Sequence, residues 1–189
     1  MKRPSIVRQA HDQGERGLIN RLPRLVLDTN VVLDLLHFDD AAARPLLLAL
    51  EAGSVQCVVT AATLGEWRRV LGYPEFALDP ARQAALFERY QALSVPMPGV
   101  VRPGMPHKGT PIHYGLKPVC SRMPRCSDPD DQKFIELAAA AGVLALVSKD
   151  RAVLKLRHLC APVFRIMTPA EAVHWLDTLD LSLQPAAGT

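Results

Sequence analysis

Asp28, Glu66, Asp131 and Asp150 lie in four separate stretches of a 189-residue chain. Four such carboxylates converging on one partly buried pocket would repel one another strongly, and that arrangement is sustained only where cations are bound. Charged oxygen donors suit hard divalent ions, Mg2+ or Mn2+, held by a few carboxylates and several waters. Each acid also has a plainer role. Asp28, with Asn30, could cap a helix starting at Val31, and Asp150 could cap the helix after it. Thr63 and Glu66 have the spacing of a capping box. Asp128-Pro129-Asp130-Asp131 reads as an N-cap, a first helical residue and two acids favoured by the helix dipole. What separates the two readings is whether the acids meet, and that depends on the elements that carry them.

Leu25-Val26-Leu27 is an apolar run that reads as a buried strand, followed by helical material from Val31 to about Gly53. Val55 to Val59 reads as a second strand and Ala62 to Leu71 as a helix, with Leu64, Trp67, Val70 and Leu71 on one side. A further helix covers about Pro80 to Leu93, ending in a short strand at Val95. Helix 129–141, strand 143–147, a short helix 151–158, strand Val163 to Ile166 and a last helix from Thr168 complete the series. Strands that are apolar throughout and alternate with helices indicate a central parallel sheet covered on both faces, an α/β fold.

In such sheets ligands bind at the C-terminal ends of the strands. Asp28 directly follows the first strand and Asp150 stands just beyond 143–147, so both belong to one edge. Glu66 lies early in the helix after the second strand. Asp131, in the first turn of helix 129–141, shares a face with Phe134, Ile135 and Ala138, which turns it inward. All four positions therefore fall at the same end of the sheet, which separate capping roles do not explain.

Composition sets the outer bounds. With 49% of its residues apolar, the chain has material for one sizeable core. The net charge is only +3, but residues 1–24 carry six Lys/Arg against two acids, and residues 96–127 carry five against none. Residues 1–23 lack apolar periodicity and read as a flexible basic arm, 24–176 as the folded domain and 177–189 as a flexible tail. Within the domain, 96–127 is an insert holding seven of the sixteen prolines and four of the eleven glycines. Structureless stretches of that length are usually functional or disordered. Its Arg102, Lys108, Lys117, Arg122 and Arg125, with Tyr114 for stacking, form a candidate nucleic-acid surface. His107, His113, Cys120 and Cys126 have zinc-compatible chemistry but irregular spacing, and no zinc is expected there. No apolar run spans a membrane, and the basic start lacks the apolar stretch of a signal peptide, so the expected location is the cytoplasm, with the four cysteines as thiols.

The motifs now in view resemble the PIN-domain family. The match rests on Leu25-Val26-Leu27-Asp28-Thr29-Asn30, Thr63-Leu64-Gly65-Glu66-Trp67, Asp128-Pro129-Asp130-Asp131-Gln132-Lys133-Phe134-Ile135 and Val147-Ser148-Lys149-Asp150, over roughly residues 24–176. It is closest in style to VapC-like toxin components of toxin-antitoxin pairs. The resemblance implies a three-layer α/β/α sandwich, Mg2+- or Mn2+-dependent cleavage of RNA, an antitoxin protein as partner and a homodimer. It assigns metal and catalytic roles to Asp28, Glu66, Asp131 and Asp150, with Asn30 and Ser148 as supporting hydrogen-bond partners. The doublet leaves Asp130 and Asp131 as alternatives for the third acid.

Other readings meet chemical obstacles. A phosphatase using Asp28 as nucleophile wants a second aspartate two residues on as general acid, and Asn30 cannot donate a proton that way. A dinucleotide fold wants a glycine-rich turn after the first strand, where this chain has Asp-Thr-Asn. The alternative that stays open is a non-catalytic RNA- or protein-binding module of the same fold.

Overall fold

The run Arg24–Leu27 has no polar side chain after its first residue, and it forms β1 at the centre of a five-stranded sheet. The computed structural model describes residues 22–97 and 123–183, with side chains as far as Thr178. β2 (Gln56–Val59) and β3 (Ser94–Pro96) extend the sheet on one side of β1. β4 (Ala145–Val147) and β5 (Arg165–Met167) extend it on the other, and every pairing is parallel.

The helices are α1 (Thr29–Leu36), α2 (Arg44–Glu51), α3 (Ala61–Leu71), α4 (Pro80–Ala92), α5 (Gln132–Ala141), α6 (Arg151–Leu154), α7 (Arg157–Cys160) and α8 (Pro169–Leu183). Alternation along the strands divides them into two layers. Leu25, Leu27, Cys57, Val59, Ala145, Val147 and Met167 join a core with α1 to α4 and α8. Val26, Val58, Leu146 and Ile166 join a second core with α5, α6 and α7. The result is a three-layer α/β/α sandwich. Among the described residues, no helix is long and apolar enough to cross a membrane.

Register decides what lies at the functional end. Leu27 pairs with Val147, and Val147 with Met167. The ladder then runs one residue further: the Asp28 N–H donates to Val147 O at 2.9 Å and the Ser148 N–H to Met167 O at 2.9 Å. Asp28 and Ser148 thus leave neighbouring strands at the same level. On the return path, α5 ends at Gly142, whose left-handed φ of 57° suits glycine and turns the chain into β4.

Several boundaries differ from those read in the sequence. The stretch from Val31 to Gly53 is two helices, and the first begins at Thr29. Between them Asp39 takes a left-handed φ of 50°, the Asp40 carboxylate accepts the Ala42 N–H, and Pro45 sits in the first turn of α2, where a missing N–H is harmless. The third acidic helix starts at Gln132, not at residue 129. The Asp128 carboxylate accepts the N–H of Asp130 at 2.9 Å, so it closes a local turn and Pro129 is not a first helical residue. Residues 151–158 carry two short helices, and the strand expected at Val163 begins at Arg165, because the N–H groups of Val163 and Phe164 still turn back to Cys160 O. The last helix continues to Leu183, past residue 176.

Leu146 is fully buried in β4 against the α5 layer, whereas Leu159 of α7 is 65% exposed. Leu146→Ala should cost ~2–5 kcal/mol of unfolding free energy through the cavity it leaves. Leu159→Ala should stay within ~0.5 kcal/mol of the native protein. Urea midpoints of the two variants provide the check, and equal midpoints would refute this assignment of the core.

Candidate active site

Asp28 occupies the N-cap position of α1, yet its side chain makes no capping bond to that helix. It is 3% exposed, and its Oδ2 accepts two hydrogen bonds from elsewhere: from Asn30 Nδ2 at 2.8 Å and from Ser148 Oγ at 2.5 Å. The backbone N–H of Asn30 lies near enough to favour the ionised form without forming a cap. Burial nevertheless raises the pKa of Asp28, and the charge of Glu66 adds to the rise against the lowering by these donors.

Ser148, fully buried, is the hinge of the arrangement. Its hydroxyl donates to Asp28 and accepts the Asp150 N–H at 3.0 Å, so one oxygen ties two of the acids together. Asn30 makes a second tie, since its Oδ1 accepts the Lys149 N–H at 3.2 Å. Asp150 does cap α6, through the Ala152 N–H at 2.5 Å, and is half-buried beside the same edge.

Glu66 is not part of a capping box. That box is formed one turn earlier by Thr60 and Thr63, each side chain accepting the other's backbone N–H. Glu66 is held instead by Thr29 Oγ1, which donates to Oε1 at 2.8 Å, and by the ammonium of Lys133 at Oε2. Asp131 sits just before α5 and caps nothing with its side chain. Burial, then the charges of Asp28, Asp150, Asp128 and Glu66, push its pKa up to about 7. Asp131 therefore shares a field with the other three acids. Asp130 is exposed and lines a neighbouring cleft of about 260 Å3 with Gly65, Glu66, Arg69 and Lys133.

A PIN domain family model matches residues 24–152. The chain belongs to the PIN domain family. No curated protein matches it. PIN domains are generally nucleases acting on nucleic acid and typically use divalent metal ions. The oxygen donors gathered in this PIN domain suit such ions in kind. Among the described residues, no three acidic, histidine or cysteine side chains are grouped closely enough to hold a metal.

Three features of this PIN domain escaped the sequence. The Lys133 pairing with Glu66 joins residues on different helices, and no local pattern announces it. Lys149, though exposed, is ion-paired, with its ammonium on the buried carboxylate of Asp34 at 2.6–2.7 Å. Thr29 had no assigned role. Of the basic residues expected in the insert, Arg125 is exposed, while Arg102, Lys108, Lys117 and Arg122 lie outside the described residues, as do Tyr114, His107, His113 and Cys120.

The raised pKa of Asp131 gives a signed expectation. An ordinary aspartate titrates near 3.8 and Asp131 in the folded chain near 7. Between those values the folded state keeps a proton that the unfolded state has released, so stability falls as pH rises through this window. Asp131→Asn removes the penalty. In chelating buffer its melting temperature should exceed that of the native domain by an amount that is small near about pH 4 and grows until about pH 8. A difference independent of pH would show that the Asp131 charge is not disfavoured.

Proposed function

We propose that this PIN domain is a Mg2+- or Mn2+-dependent endoribonuclease that hydrolyses RNA phosphodiester bonds, with Asp28, Glu66, Asp131 and Asp150 as metal-holding and catalytic acids. One observation carries the reading: Asp28, free of any capping duty, is buried at the end of β1 and fixed by Asn30 and Ser148 within the field of the other acids. A helix-capping aspartate would face the amides of α1. This one is aimed by two side chains that also tie it to the Ser148–Asp150 segment.

Both side-chain donors to Asp28 bind Oδ2 and Asp150 caps α6 with Oδ1, so Asp28 and Asp150 would be among the residues to hold an ion. Asp131, rather than Asp130, is the third acid on this reading, because it shares the field while Asp130 faces solvent. When bound, the ion supplies charge neutralisation at the phosphodiester and lowers the pKa of a water. Ser148 and Asn30 keep the carboxylates from drifting apart, which is what geometric preorganisation requires. Arg102, Lys108, Lys117, Arg122 and Arg125 guide the RNA backbone. The VapC-like resemblance extends the proposal to a cytoplasmic toxin restrained by an antitoxin protein and assembling as a homodimer. A non-catalytic binding module is the second reading, favoured by the engagement of Glu66 with Lys133 rather than with a vacant cation position.

Asp28→Asn separates the two. On the catalytic reading it abolishes Mn2+-dependent RNA cleavage and any growth arrest on induction, while the metal-free protein is as stable as the native one or more so. Saturating Mn2+, at about 100 times its Kd, should stabilise the native chain by roughly 2.7 kcal/mol and the variant by less. RNA bound but left intact by the native protein with Mn2+ supplied would favour the binding module.

Replacing three of the five basic insert residues with Ala should weaken RNA binding and lower the slope of log affinity against log salt by about 2, at ~0.7 per single-strand phosphate contact. Identical slopes for the two proteins would remove the insert from the RNA surface.

A further inference from the structure

Among the described residues, Glu66 alone of the four acids has a positively charged side chain as partner. The pair is not a loose surface contact. Side-chain exposure is 24% for Lys133 and 12% for Glu66. The ammonium also donates to the Asp130 carbonyl and lies 5.1 Å from the centre of the Phe134 ring, so three groups fix it. Thr29 takes the other carboxylate oxygen. One oxygen of Glu66 is thus hydrogen-bonded and the other ion-paired, whereas among the described residues Asp28, Asp131 and Asp150 have no cationic partner.

We propose that Lys133 is a positioning residue that serves as a tethered counter-ion for Glu66 and competes with the divalent cation for that carboxylate. The inference rests on the metal-dependent reading above. In the metal-free chain the ammonium relieves repulsion that Glu66 would otherwise exert on Asp28 and Asp131, both of which feel its charge. An ion held by Glu66 would have to displace Lys133, which would lower its net affinity. The cost of this device is metal affinity, and its benefit is a metal-free fold that tolerates four acids at one edge. An exposed ion pair would contribute little either way, but a mostly buried one leaves an uncompensated charge when its partner is removed.

The test uses the full chain with Mn2+ as the probe. By titration calorimetry, Lys133→Gln should bind Mn2+ roughly tenfold more tightly than the native protein, a difference of one decade in Kd. Lys133→Arg, which keeps the charge, should stay near the native value. A second measurement needs no metal: in chelating buffer Lys133→Gln should lower the melting temperature, and adding Glu66→Gln should restore most of the loss, as a coupled pair requires. If the native chain binds Mn2+ and Lys133→Gln binds no tighter, the competition is overturned while the metal reading stands. If neither protein binds Mn2+, the metal reading fails and this inference fails with it. Additive effects in the metal-free melts would show that the two side chains are not coupled, and would overturn it on separate grounds.

Discussion

Parallel pairing of β1 with β4 is the constraint on which the rest of the molecule depends. Because Leu27 stands opposite Val147, the next residues, Asp28 and Ser148, must emerge side by side, and the buried hydroxyl reaches the carboxylate without any further device. A shift of one residue in that register would send Ser148 to the opposite face and leave Asp28 with Asn30 as its one side-chain donor among the described residues. Everything downstream of the strands is arranged around this point. Asn30 in α1 and the N–H of Lys149 tie the two exits together, and Asp150 is delivered by the turn that Ser148 stabilises.

Charge balance at this edge is achieved locally. The chain as a whole is nearly neutral, yet the end of the sheet concentrates acids whose burial, reinforced by one another's charge, raises the pKa of both Asp28 and Asp131. Among the described residues two lysines pair with acids near this edge, Lys133 with Glu66 and Lys149 with Asp34. Asp34 shows the structural use of such a pair, since a carboxylate 5% exposed within α1 would be costly without a cation. Hydroxyls do the remaining work, with Thr29 and Ser148 donating to carboxylates that have little water around them.

Much of this was legible in the sequence, for physical reasons. A strand buried on both faces must be apolar throughout, so Leu25-Val26-Leu27 and the run before Ser148 could be recognised, and a parallel sheet makes their C-terminal ends the place for chemistry. The break between α1 and α2 was not legible, because it turns on a left-handed Asp39 and a turn closed by Asp40, neither of which disturbs the apolar period. The start of α5 was misplaced because Asp128-Pro129 is as good a turn as it is a helix entry. Thr60 won the capping box from the Thr63–Glu66 pair, since both spacings are admissible and only the end of β2 decides between them. The lysine pairings could not be read at all: Lys149 meets an acid 115 residues away, and no periodicity encodes such a meeting.

The hydrogen bond between Ser148 and Asp28 spans 120 residues, and that separation sets an order in time. A ribosome releases the N-terminal part of a chain first, at roughly 5–20 residues per second. β1, β2 and β3 are all made well before β4, so a growing chain can pair β3, β2 and β1 while the other side of β1 stays open. During that interval the open strand is a template for unwanted pairing with other chains. Asp28 has no serine to hold it, Asp131 and Asp150 are not yet joined to it, and Glu66 has no lysine. A half-made chain therefore lacks the assembled edge, because Ser148 and Asp150 reach it only with β4 and the turn that follows.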